Sequence, residues 1–148
     1  LHGFISRSMM ENIITGEYAE KTLIASNRLL PAPKILCVGL GERKLYSLAR
    51  LQEICTVLFQ TLYRIKIVTF AASLPGVEML RGDYSAAAEC LVNAAVAWAR
   101  NEGRGNIPFR IFLLEKKEKF ENIMTGLYRS RIKHQKSLDL SLCKNGMA

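Results

Sequence analysis

The chain has 148 residues, a formal net charge of +8, 49% hydrophobic and 23% charged residues, and no low-complexity tract. That is the size and composition of one ordinary globular domain, which excludes collagen-like, disordered and disulfide-scaffold classes. No apolar run reaches the ~18–20 residues of a membrane span, and LHGFISRSMMENIITG lacks the unbroken apolar stretch of a secretory leader, so a cytoplasmic setting is expected.

Residues Gly3 to Ile14 read as a short amphipathic helix with Ile5, Met9 and Ile13 on one stripe, ended by Thr15-Gly16. Lys21 to Ser26 reads as a strand, and NRLLPAP as a turn region. Lys34 to Leu40, KILCVGL, is a nearly continuous apolar run whose Ile35 and Val38 favour a buried strand. From about Arg43 to Arg64 the period changes, and Leu48, Leu51, Cys55, Leu58 and Leu62 fall on one helical face. IKIVTFAA, from Ile65, is a further buried strand closed by a Pro-Gly turn, Ser73-Leu74-Pro75-Gly76. Asp83 or Ser85 is placed to cap the next helix, whose buried stripe is Ala87, Leu91, Ala94 and Trp98. NEGRGN breaks that helix, and Phe109 to Leu114 forms another central strand. Lys117 to Ile132 completes the pattern as an amphipathic helix with Phe120, Ile123, Met124, Leu127 and Tyr128 in phase.

The order β-α-β-α-β-α from residue 34 predicts a three-layer α/β/α sandwich with a mostly parallel or mixed central sheet. The expected division is one domain over residues 1–132 and a basic, flexible tail over 133–148. Cys37, Cys55, Cys90 and Cys143 are too far apart for paired zinc-ligand spacing, and Cys37, Cys55 and Cys90 lie in apolar segments as small core residues. His2 and His134 stand alone and are expected at the surface. No metal, cofactor or catalytic residue is therefore assigned.

Three places invite a binding reading. At Gly39-Leu40-Gly41, backbone amides at a strand end, followed by Arg43 and Lys44, suit an anion. The dinucleotide fingerprint fails because Lys44 stands at the third glycine position. The competing account is a tight corner, and it is favoured. Ser73 to Gly76 lies at the end of the neighbouring strand, where a pocket would share both loops, or where an ordinary surface turn suffices. Gly39, Gly41, Arg43, Ser73 and Gly76 are thus the candidate contacts for a phosphate-bearing ligand such as ADP-ribose or a nucleotide. The basic C-terminal stretch, with Arg129, Arg131, Lys133 and Lys136, is a candidate for nonspecific contact with nucleic acid. No interleaved aromatics support base stacking, and a solvated tail is the plainer account.

Two quoted segments carry a family resemblance. APKILCVGLGERKLYSLARLQEICTVLFQTLYRIKIVTFAASLPG resembles the N-terminal domain of the leucine aminopeptidase family, in which a strand ending V-G-L-G leads into a helix and a further strand. ISRSMMENIITGEYAEKTLIAS is similar to the helix, glycine turn and strand just upstream. The resemblance covers about residues 3–76, and from Val77 to Arg131 only the order of elements agrees. It implies a macro-domain-like, noncatalytic domain, with chemistry in a separate C-terminal domain holding two metal ions. Such ions sit about 3.5–4 Å apart on converging carboxylates. The family supplies these partly through an N-T-D-A-E-G-R run, which this sequence lacks, so no catalytic residue carries over. The expectation is an assembly or regulatory module, partnered by its own copies or by a separate catalytic domain.

Overall fold

The structure, a computed structural model, describes residues 3–28, 30–102 and 109–134. Its first helix, α1 (Phe4–Met10), is shorter than the apolar spacing suggests. Asn12 takes a left-handed conformation, and the backbone turns so that Ile13 N and Ile14 N both donate to Ser8 O. The turn buries Ser8 and Ile14 and leaves Met9 and Ile13 facing out, which rotates the expected stripe.

Strands β1 (Lys21–Ala25) and β2 (Lys34–Val38) pair antiparallel, from Lys21 opposite Val38 to Ala25 opposite Lys34. A single 3-10 turn at Arg43–Leu45 precedes α2 (Leu48–Arg64), because Ser47 interrupts the helix and caps it, its Oγ accepting from Arg50 N at 3.3 Å. The buried face of α2 is Leu51, Ile54, Cys55, Phe59 and Leu62. Leu48, expected in the core, is 46% exposed, and Leu58 is only half-buried. Phe59 sets this phase. Its ring lies 5.2 Å from that of Phe109 and 6.2 Å from that of Phe70, centroid to centroid. An aromatic ring brings more apolar area to the interior than the leucine beside it.

The segment expected as a strand from Ile65 begins pairing only at β3 (Thr69–Ala72). The preceding residues close α2 instead. Lys66 sits at φ 58°, its N donates to Tyr63 O at 2.9 Å, and Ile67 N donates to Leu62 O at 2.9 Å. That paired closure satisfies two end carbonyls of the helix. Helix α3 (Tyr84–Asn101) is capped by Asp83, whose carboxylate accepts from Ala86 N at 2.9 Å. Its predicted stripe of Ala87, Leu91, Ala94 and Trp98 is buried, and Ala88, Cys90 and Val96 are buried with it. The extra burial follows from position: α3 is packed by α2 on one side and α4 (Phe120–His134) on the other. Small residues make the second contact. A Cβ built on Gly126 of α4 would fall 2.1 Å from Ser85 O of α3, and Ser130 is fully buried. Tyr128, expected on the inner stripe, consequently faces outward and is 50% exposed.

Strand β4 (Arg110–Leu113) pairs parallel to β3, Thr69 opposite Arg110 and Ala72 opposite Leu113, with α3 as the crossover. Among the described residues the strands make two separate two-stranded sheets. The fold is therefore α/β with small sheets. Phe70, Ile111 and Leu113 on the inner face of the parallel pair pack on the core built from α2 and α3. Thr69, Ala71, Arg110 and Phe112 make the outer face. His134 is a correction to the sequence reading. It closes α4 inside the protein at 7% exposure, with Nε2 2.7 Å from Asn93 Oδ1 of α3. An isolated histidine near a chain end gives no sign of such a partner when the helices are not yet packed. Among the described residues no helix is long and apolar enough to cross a membrane.

Candidate functional site

The glycine corner is built from the segment before β1 and the end of β2. Glu20 ties that segment into a loop. Its carboxylate accepts from Thr15 N at 3.0 Å, Thr15 Oγ1 at 2.9 Å and Gly16 N at 2.6 Å. The Thr15 amide, then the Thr15 hydroxyl, hold the carboxyl below its ordinary range. The strand end then docks on this loop. Gly39 N donates to Glu20 O at 2.8 Å, Ala19 N donates to Gly39 O at 3.0 Å, and Gly41 N donates to Gly16 O at 3.0 Å. A Cβ at Gly39 would lie 1.9 Å from Glu17 O. Both glycine amides are spent inside the fold, and glycine is required at position 39 by the closeness of two backbones.

Tyr18 fastens the loop to α2. Its hydroxyl donates to Glu53, and the Arg50 guanidinium lies over its ring, 4.6 Å from the centroid. The hydrogen bond to Glu53, followed by burial, raises the phenol above its usual range. Arg43 follows on the exposed 3-10 turn, and Lys44 there pairs with Glu42 at 2.8 Å on the surface.

The second candidate loop is held to the first by a residue that motif reading passed over. Tyr46 donates from its hydroxyl to Pro75 O at 2.8 Å, and a Cβ on Gly76 would fall 2.6 Å from its ring. Gly76 has φ 59°, so backbone and space both call for glycine. Burial pushes the Tyr46 phenol up to about 12. Glu115, just past β4, accepts from Leu74 N at 2.5 Å. Tyr46, three positions past Arg43, thus ties the segment after the glycine corner to the turn that carries Ser73 and Gly76, while Gly39 and Gly41 make their close contacts with Gly16, Glu17 and Tyr18. The one signal for Tyr46 in the sequence was an aromatic directly before the Ser47 cap, a position whose side chain commonly folds back on its own helix.

Nucleophilic chemistry finds no foothold among the described cysteines. Burial pushes the thiol of Cys55 up to about 12 and that of Cys90 up to about 11, and it raises that of half-buried Cys37. Such thiols stay protonated and inert. Cys143 lies outside the described residues, as does Lys136 of the basic candidates. Arg129, Arg131 and Lys133 are exposed on α4, and Arg129 Nη1 donates to Ser85 Oγ at 3.4 Å. Among the described residues no group of three or more His, Cys, Asp or Glu side chains is placed to hold a metal ion.

The family model described as "Cytosol aminopeptidase family, N-terminal domain" matches residues 1–97. The chain belongs to the cytosol aminopeptidase family. The part recognised is the N-terminal domain of that family, the same group the V-G-L-G segment resembles. It takes in the glycine corner, the Pro-Gly turn and most of α3, and it ends one residue before Trp98. A search of the curated proteins gave no match. Residues 98–148, with β4 and α4, lie outside the aminopeptidase match.

Proposed function

We propose that this member of the cytosol aminopeptidase family is a noncatalytic assembly or regulatory module. One observation carries the reading: among the described residues, the parallel β3–β4 pair is covered on one face only. Parallel strands are ordinarily buried on both faces. Here Phe112 is 41% and Leu114 66% exposed beside Thr69 and Ala71. A second copy of the chain, or a catalytic domain, covers that face. The three-layer, macro-domain-like arrangement belongs to the same reading. It would bring the β1–β2 and β3–β4 pairs into one sheet, and the β3–α3–β4 crossover supports it. A cytoplasmic setting is proposed with it.

Sedimentation equilibrium tests the proposal. Self-association that Phe112→Ser and Leu114→Ser abolish is expected, and a strict monomer at high concentration with no associating domain would overturn it. Hydrolysis of Leu-p-nitroanilide with manganese or zinc is expected to stay at background.

The phosphate-ligand reading has less support, because the amides of Gly39 and Gly41 already donate within the chain. Calorimetry with ADP-ribose and mononucleotides would show heat at millimolar ligand if it held. Nonspecific DNA binding through the basic segment predicts affinity that falls steeply with salt.

A further inference from the structure

The last two turns of α4 present a surface that neither the core nor the assembly reading uses. Tyr128 and Ile132 are one turn apart on the outward side, 50% and 69% exposed. Helical geometry puts Arg129 and Lys133 along one flank of this pair and Arg131 along the other, all three exposed. No acidic residue occurs between Tyr128 and His134. Cations in a last helical turn have an ordinary explanation in the helix dipole. The dipole gives no reason for a β-branched apolar side chain and a tyrosine to stand in water between them.

We propose that this face docks an acidic amphipathic helix of another protein, its apolar residues meeting Tyr128 and Ile132 and its carboxylates meeting Arg129, Arg131 and Lys133. Charge decides the occupant. A second copy would bring two sets of these cations together within a chain already at +8, and like charges across an interface repel. A phosphate backbone satisfies the cations and leaves Ile132, the most exposed member of the pair, against polar groups. An acidic helix matches both components, in the helix-against-apolar-stripe mode of recognition. The surface lies wholly beyond residues 1–97, so it is a property of this chain's own C-terminal third.

Fluorescence anisotropy with a labelled synthetic amphipathic helix, leucine on one face and glutamate on the others, tests this on the full chain. Binding is expected, with a scrambled peptide of the same composition failing to compete. Ile132→Ser is expected to weaken binding about tenfold, and Arg131→Glu with Lys133→Glu at least as much. These positions are exposed, so circular dichroism should show unchanged folding. Absence of binding at millimolar peptide would overturn the proposal, as would equal binding to short duplex DNA or indifference to Ile132→Ser. Self-association lost in Ile132→Ser would also overturn it. Substitutions at Phe112 and Leu114 leave this binding intact, so its failure is separable from failure of the assembly reading.

Discussion

Replacing Gly39 by Ala tests the account of the glycine corner directly. The backbone of Gly39 is not in the left-handed region, so alanine suffers no conformational penalty of its own. The whole cost is contact: the added methyl would sit 1.9 Å from Glu17 O. No flexible side chain can give way, because the obstacle is backbone. Either β2 or the loop must withdraw, and three backbone hydrogen bonds go with it: Gly39 N to Glu20 O, Ala19 N to Gly39 O and Gly41 N to Gly16 O. At a net ~0.5–1.5 kcal/mol each, the loss is about 1.5–4.5 kcal/mol. Gly82→Ala is the comparator, since Gly82 has φ 75° and open space around its Cβ position. It should cost only about 1–2 kcal/mol of left-handed strain. Urea denaturation followed by circular dichroism measures both variants. A Gly39→Ala loss below that of Gly82→Ala would refute the reasoning that two backbones in contact fix this glycine.

Gly126→Ala should destabilise by about 1–3 kcal/mol in the same assay, because its methyl meets Ser85 O across the α3–α4 crossing. Lys66→Gly should stabilise by up to about 1 kcal/mol, since Lys66 ends α2 at φ 58°, where glycine carries no Cβ penalty. Stability should fall in acid through His134. Burial first, then the cations Arg100 and Lys133, hold its pKa below the ordinary histidine value, with Glu89 opposing. The unfolded chain then binds the extra proton more readily, so stability is full above about pH 6.5 and declines as pH drops below it. Denaturation midpoints across pH 7 to 5, roughly the range over which histidine charges, should show this decline in the native chain and a smaller one in His134→Gln. Cys55 and Cys90 should resist iodoacetamide in the native protein and react once it is unfolded, as mass spectrometry would record.

Features set by neighbours in sequence are legible in the sequence alone. The Asp83 cap, the Pro-Gly turn, the α3 stripe and the β1 and β2 segments all follow from local chemistry, and they appear where expected. Features set by distant contacts were not. Ile65 and Ile67 carry strand-forming side chains, yet the closing bonds of α2 claim that backbone first. Leu58 and Phe59 are equally apolar to a periodicity argument. Only the rings of Phe70 and Phe109 decide between them. His134 needed Asn93, a partner on another helix. The corner glycines fit either cradle or turn because G-L-G is the same string in both cases. The distinction lay in Glu17 and Glu20, whose carbonyls approach only after the hairpin forms. Strand pairing is the least local property, and order alone did not foretell two small sheets.

Trp98 stands one position past the recognised segment, yet its ring is 5.3 Å from Tyr63 on α2 and 5.3 Å from Phe109 beside β4. A scissor placed at that border would sever the keystone from the arch it holds up. The recognised front portion, expressed without its remaining third, would lose the indole that joins them and should precipitate or stay unstructured.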